Sequence, residues 1–79
     1  MTKRKKVTQT FGQRIREARW MRGMTIDDLA NKSGIAKSNI ESYENDEHEP
    51  RVFYAVCLAD ALEVRLDWLT GRCEEDWLD

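Results

Sequence analysis

Apolar residues recur every three or four positions along most of the chain, which is the spacing of one face of an α-helix. Phe11, Ile15 and Ala18 form the first such face, and a wider apolar stripe occupies residues 52–62. No segment alternates apolar and polar residues for long enough to predict a β-strand. The pattern therefore predicts an all-α fold built from five short helices.

Capping residues predict where the first two helices begin and end. Thr10 and Gln13 have the spacing of a capping box, in which each side chain bonds the backbone N–H of the other residue. Thr25 is a second hydroxyl cap. Gly23 and Gly34 can end the two helices in the left-handed conformation. These signals predict two helices separated by a tight turn.

Three further helices complete the prediction. A helix over residues 36–45 has Ile40 and Tyr43 as its apolar positions. Pro50 marks the entrance to a fourth helix, because its fixed φ and missing N–H are tolerated in a first turn. A short fifth helix is expected over residues 66–70.

The length and composition restrict the class of protein. The chain has 79 residues, of which 41% are hydrophobic and 35% charged, and this fits one small globular domain. A core of this size leaves little free energy for strained catalytic loops, so an enzyme is the least favoured class. The longest uncharged run, residues 52–59, is far shorter than the ~20 residues of a membrane-spanning helix. No apolar run follows the basic N-terminus, so no secretory signal is indicated and the expected location is the cytoplasm.

Metal and cofactor chemistry is not indicated by the sequence. Cys57 and Cys73 are too few for the disulfide framework of a small secreted domain. Together with His48 they also lack the spacing of a zinc site. We therefore expect no metal, no cofactor and no small-molecule ligand.

The net charge of −2 is the sum of a basic N-terminal part and an acidic remainder of the chain. Residues 1–22 carry eight Lys or Arg and one Glu, whereas residues 23–79 carry five basic and fourteen acidic residues. Such asymmetry suggests that the basic end meets a polyanion. The alternative is that the charges only keep a small helical domain in solution.

The second and third predicted helices form a helix-turn-helix. This motif needs two short helices joined by a turn of a few residues, here centred on Gly34. It also needs a small residue inside the first helix and an apolar residue after the turn. Ala30 and Ile35 occupy these positions.

The sequence resembles the phage repressor and Cro-like helix-turn-helix family, and is closest to the lambdoid repressor DNA-binding domains. The likeness extends over residues 11–71. It is carried by FGQRIREAR, G-M-T-x-x-x-L-A, S-G-I-A-x-x-x-I-x-x-Y-E-N, the proline at 50, V-x-x-A-V-x-L-A-x-A-L and V-R-L-D-W-L-T-G. The resemblance implies a five-helix DNA-binding domain over residues 10–71, preceded by a flexible basic arm at 1–9 and followed by an acidic tail at 72–79.

The resemblance also implies where DNA is contacted. The helix that begins near Ala36 would lie in the major groove with its first residues at base edges. The implied base-contacting residues are Ala36, Lys37, Ser38 and Ser42. The implied DNA-backbone residues are Arg19, Asn39 and Asn45, with Lys3, Arg4, Lys5 and Lys6 of the arm. The alternative is that these are ordinary solvated side chains.

Two further features follow from the family pattern. Arg19 and Glu44 match a structural pair that ties the first helix to the end of the recognition helix. Arg65 and Trp68 match positions at a two-fold contact, so a homodimer on a palindromic operator is expected; the alternative is that Trp68 packs into its own core. The remaining arginines of the first helix are candidate phosphate neighbours, and these are Arg14, Arg16 and Arg22.

The sequence departs from the family pattern at four places. Ile26 replaces a phosphate-contacting Gln, and Ala36 replaces the usual Ser or Thr cap of the recognition helix. The loop at 46–49 is acidic and would repel the DNA backbone. Glu63 stands where the family has a Gly, so either a left-handed residue there is strained or the turn differs.

The leading hypothesis is a sequence-specific regulator of transcription that binds double-stranded DNA, with a repressor of prophage type as the expected form. The alternative is a protein-interaction module on the same scaffold, antitoxin-like or regulator-binding, that uses the acidic loop and binds DNA weakly.

Overall fold

The computed structural model describes residues 9–70, which form five α-helices. They are α1 (Phe11–Met21), α2 (Ile26–Ser33), α3 (Lys37–Glu44), α4 (Val52–Leu62) and α5 (Leu66–Leu69). The all-α prediction is confirmed, and this part of the chain contains no helix long and apolar enough to span a membrane. The basic residues Lys3, Arg4, Lys5 and Lys6 and the predicted acidic tail at 72–79 lie outside the described residues.

The two predicted hydroxyl caps are present at the starts of α1 and α2. Thr10 Oγ1 accepts from the Gln13 backbone N–H at 3.1 Å, and Gln13 Oε1 accepts from the Thr10 N–H at 3.0 Å. Thr25 and Asp28 exchange the same two bonds, both at 3.0 Å. Helix α3 begins at Ala36 with no side-chain cap, as its sequence predicts. Its orientation must therefore come from packing rather than from a cap.

All five helices contribute to one hydrophobic core. The largest fully buried side chains are Ile15, Leu29, Ile40, Leu58, Leu62 and Leu69. Each contributes about 1.5–3 kcal/mol of burial free energy relative to an exposed position. The core therefore fixes α3 on one side only and leaves its other face outside.

The N-terminus of α1 packs against the C-terminus of α3 with no room for a side chain at Gly12. A Cβ on Gly12 would meet the Tyr43 carbonyl oxygen, and would lie 2.8 Å from both the Glu44 carbonyl oxygen and Asp46 Oδ1. The Gly12 N–H donates to Asp46 Oδ1 at 3.3 Å, and the Thr10 hydroxyl donates to Asp46 Oδ2 at 2.9 Å. Asp46 thus places a carboxylate on the N-terminus of α1, where the helix dipole favours negative charge.

Within the described part of the chain, two residues other than glycine have a positive φ, Asp46 with 61° and Glu63 with 59°. Of the two outcomes considered for Glu63, the structure shows the left-handed residue, with φ 59° and ψ 46° at the C-cap of α4. Its only described side-chain partner is Arg22, at 3.9 Å and largely in solvent. Asp46 differs, because its carboxylate makes the two hydrogen bonds to Gly12 and Thr10 that offset the backbone cost.

We expect Glu63→Gly to raise the free energy of unfolding by about 0.5–1 kcal/mol, because it removes left-handed strain and loses only a weak exposed pair. Asp46→Gly, with nearly the same backbone angle, should lower it by about 1 kcal/mol through the lost hydrogen bonds. Urea denaturation of the two variants checks this pair. A shift of both variants in the same direction would contradict the explanation.

Candidate nucleic-acid interface

The turn between α2 and α3 is fixed by three neighbouring residues. Gly34 ends α2 with φ 77°, a left-handed conformation. Ile35 is buried and anchors the turn in the core, and its N–H donates to Ser33 Oγ at 3.2 Å. The two helices of the motif are therefore held in a defined relation.

The outer face of α3 is exposed, and it carries the residues that the sequence analysis assigned to bases. Ala36, Lys37, Ser38 and Asn39 are exposed, and Ser42 is half-buried. The opposite face is buried through Ile40, Tyr43 and Glu44. An α-helix with its side chains is about 10–12 Å in diameter, which fits the DNA major groove, about 12 Å wide.

The Tyr43 hydroxyl lies on the buried face of α3. Its pKa is raised above the ordinary value of 10.0 by burial and by the nearby Tyr54, while Arg51 lowers it. The inner face of α3 is therefore uncharged at neutral pH, apart from Glu44.

Glu44 is the buried charge at the end of α3, with a side chain only 3% exposed. The structure brings it together with Arg19, whose Nε and Nη2 donate to the two carboxylate oxygens at 2.8 and 3.0 Å. Arg19 Nη1 also donates to the Met24 carbonyl at 3.2 Å. The fork geometry of a guanidinium suits this two-bond pairing.

Arg16 makes a second connection between α1 and the end of α3. Its Nε lies 3.4 Å from Glu44 Oε1, and its Nη2 donates to the Glu44 carbonyl at 3.3 Å and to Asn45 Oδ1 at 3.5 Å. Sequence reasoning missed this role and assigned Arg16 to phosphates. The available signal was its spacing of three from Arg19, which places both on one face of α1.

The phosphate assignment is wrong for Arg14, which is only 4% exposed. Its Nη1 donates to the Trp68 carbonyl at 2.6 Å, and its guanidinium carbon lies 4.8 Å from the Trp68 ring centroid. Arg22 is also engaged within the chain, because it donates to the Leu62 and Glu63 carbonyls at 2.9 and 2.7 Å. These contacts cap the C-terminus of α4.

The two residues assigned to a dimer contact occupy different environments. Trp68 is 4% exposed and packs in the core of its own chain. The structure therefore favours the alternative stated above, that Trp68 belongs to its own core rather than to a dimer contact. Arg65 is exposed at the start of α5. It lines a shallow groove between α4 and α5 with Val56 and Leu66.

The departures from the family pattern have structural counterparts. Ile26 packs against the core and offers no group to a phosphate. All four residues of the acidic loop are exposed, and the carboxylate of Asp46 also bonds Thr10 and Gly12 at the start of α1. Lys37 Nζ lies 3.2 Å from Asp27 Oδ1 on α2. Within residues 9–70, no group of three His, Cys, Asp or Glu side chains could hold a metal ion.

Comparisons with known proteins agree with this geometry. The profile of a family described as a helix-turn-helix domain matches residues 12–70. The uncharacterized HTH-type transcriptional regulator YobD of Bacillus subtilis is 35% identical over 65 residues, which are 82% of this chain and 58% of YobD. The chain spans 51–63% of the curated relatives that it matches.

Solved structures of two DNA complexes are also similar. The P22 c2 repressor bound to a synthetic operator superposes with a TM-score of 0.78 at 29% identity, over 84% of this chain and 100% of that one. SinR, a master regulator for biofilm formation, in complex with DNA has a TM-score of 0.73 at 31% identity, over 76% of this chain and 97% of that one.

Proposed function

We propose, from the premise that this chain belongs to the helix-turn-helix domain family, that it regulates transcription by binding double-stranded DNA in a sequence-specific way, as a repressor. The observation that carries this proposal is the exposed outer face of α3, supported from beneath by buried residues and by the Arg19–Glu44 pair. The fold is similar to that of the P22 c2 repressor bound to its operator. The proposal includes no catalytic activity, and it implies a location in the cytoplasm.

The start of α3 would read base edges in the major groove. The ammonium of Lys37 can donate to O6 and N7 of guanine, the hydroxyls of Ser38 and Ser42 can pair with several bases, and the methyl of Ala36 can contact a thymine methyl. Because Ser discriminates weakly, Lys37 is the main source of direct readout.

Asn39 within α3 and Asn45 just after it would face the DNA backbone. Asn39 and Asn45 are exposed, and their side-chain amides can donate to phosphate oxygens. Arg19 already bonds Glu44 and Met24, so its contribution to phosphate binding would be secondary to its structural one. Lys3, Arg4, Lys5 and Lys6 would add salt-dependent affinity as an arm.

Operators of two-fold symmetry call for two copies of the domain. The groove between α4 and α5 offers a surface for a homodimer, because it carries the apolar Val56 and Leu66 next to Arg65 and Asp67. A two-fold axis there would place charges of opposite sign across the contact. Trp68 would support this surface from the core rather than form it.

A second candidate function is a protein-interaction module. The observation in its favour is the exposed start of α4, where Val52 is 78% and Phe53 is 71% exposed, directly after the acidic loop at 46–49. Large exposed apolar residues beside charged ones are typical of protein contacts. On this function, Glu47→Lys and Glu49→Lys would abolish activity while Lys37→Ala leaves it intact.

The test is selection of bound duplexes from a random pool, followed by affinity measurements over a salt series. We expect an inverted repeat with half-sites about one helical turn apart. The slope of log affinity against log salt should be about −0.9 per neutralised phosphate. If no sequence is enriched in the selected pool, and the affinity does not change with salt concentration, the proposed function is contradicted.

A further inference from the structure

The ion pair between Lys37 and Asp27 joins the two helices of the helix-turn-helix. Asp27 is the second residue of α2 and Lys37 is the first residue of α3. The Nζ–Oδ1 distance is 3.2 Å, and the side chains are 53% and 71% exposed. Among residues 9–70 it is the only ion pair between α2 and α3.

This pair is poorly placed to stabilise the fold. Both groups lie in water, which screens their attraction. Asp27 already has a favourable position in the first turn of α2, where the helix dipole stabilises a carboxylate without any help from lysine. The pair therefore mainly affects which groups on DNA the Lys37 ammonium can contact.

A lysine ammonium has three N–H donors on a flexible four-carbon stem. With one donor directed at Asp27, two remain, and guanine presents two acceptors in the major groove, O6 and N7. Holding the ammonium beside α2 thus leaves it able to contact a guanine edge. At the same time it restricts the reach of Lys37 toward phosphates, which lie at every step of the backbone.

The charge of Asp27 acts in the same direction. The first helix of such a motif crosses the DNA backbone, and a carboxylate in its first turn is repelled by phosphates. Sequence-independent binding depends on phosphate contacts, so the Asp27 carboxylate weakens it more than it weakens binding to a specific site.

We propose that Asp27 is a specificity-determining residue that acts through Lys37. It keeps the Lys37 ammonium away from phosphates and leaves it able to contact a guanine edge. This inference rests on the proposed function. Asp27 is a positioning residue, since it does not itself contact a base.

The test compares wild type with Asp27→Asn, using the selected operator duplex and a random-sequence duplex over a salt series. In the variant we expect affinity for random DNA to rise about fivefold and the salt slope to steepen by about 0.9, which corresponds to one added phosphate contact. Operator affinity should change less than twofold, so the ratio of operator to random affinity falls about fivefold.

Two further variants separate this mechanism from simple repulsion. Asp60→Asn makes the same charge change at an exposed position on α4, and should leave the affinity ratio unchanged. In a Lys37→Ala background, Asp27→Asn should lower the ratio by much less than fivefold, because only the direct repulsion of phosphates by Asp27 is then removed. Asp27 is highly exposed, so its amide variant should lower the melting temperature by only a few degrees, through the lost interaction with the helix dipole.

An equal rise in both affinities, an unchanged ratio, or the same fall in ratio without Lys37 would overturn the role of Asp27 while leaving the proposed function standing. Wild-type protein that binds both duplexes equally would overturn the proposed function, and this inference with it.

Discussion

Replacing Gly12 with alanine is expected to lower the free energy of unfolding by about 3 kcal/mol, near the upper end of the cost of overpacking. The added Cβ would meet the Tyr43 carbonyl oxygen and lie 2.8 Å from the Glu44 carbonyl oxygen. Both are backbone atoms, which cannot turn aside as a flexible side chain could. The start of α1 would have to move away from the end of α3, which breaks the bonds to Asp46 as well.

Thermal unfolding followed by circular dichroism measures this effect, and a fall in melting temperature on the order of 15 °C is expected. Gly34→Ala is the matched control. It adds the same methyl group at a glycine with φ 77° and open space around the Cβ, so it reports backbone strain alone, about 1 kcal/mol. Equal losses in the two variants would show that the close contact at Gly12 is not the cause.

Replacing Arg19 with methionine is expected to cost about 3 kcal/mol of unfolding free energy. Methionine keeps much of the packing of the stem but removes both short bonds to Glu44, a carboxylate that is only 3% exposed. Breaking a buried pair by removing one partner is far more costly than losing an exposed pair, because an uncompensated charge stays inside. Arg16, at 3.4 Å, offsets only part of this cost.

Urea denaturation of Arg19→Met, Glu44→Leu, their double variant and Arg16→Met checks the explanation. Arg16→Met removes a more exposed and longer contact and should cost at most about 1 kcal/mol. The double variant Arg19→Met with Glu44→Leu should recover most of the loss, because no charge is left buried. A double variant as unstable as the sum of its single changes would contradict the role assigned to the pair.

The starts of α1 and α2 could be predicted from the sequence because capping depends on residues three positions apart. Thr10 with Gln13 and Thr25 with Asp28 make their bonds within one turn. The exposure of α3 was also predictable, since its only apolar positions, Ile40 and Tyr43, lie on one face. Such features are decided locally.

The burial of Arg14 in α1 was not predictable in the same way. Arg14 lies beneath Trp68, which is 54 positions further along the chain, and no neighbouring residue indicates that contact. An arginine is mostly exposed in folded proteins, so the default reading assigned it to phosphates. Only the packing of α5 against α1 shows that it is buried.

The contacts of Asp46 in the acidic loop were also not predictable from its neighbours in the sequence. As one of four consecutive residues at 46–49, it was assigned to the repulsion of DNA. In the structure its carboxylate bonds Gly12 and Thr10, 34 and 36 positions earlier. Asp46 therefore has a structural role at the start of α1 that its place in the acidic loop does not indicate.

The central claim is that the exposed face of α3 reads DNA bases, and selection from a random duplex pool with wild type and Lys37→Ala tests it most directly. Lys32→Ala, which removes one exposed positive charge from α2, is the control. We predict that Lys37→Ala loses the preference at one base pair in each half-site, keeps the others, and binds about tenfold more weakly, whereas Lys32→Ala selects the wild-type sequence. Identical preferences at every position for wild type and Lys37→Ala would contradict the claim.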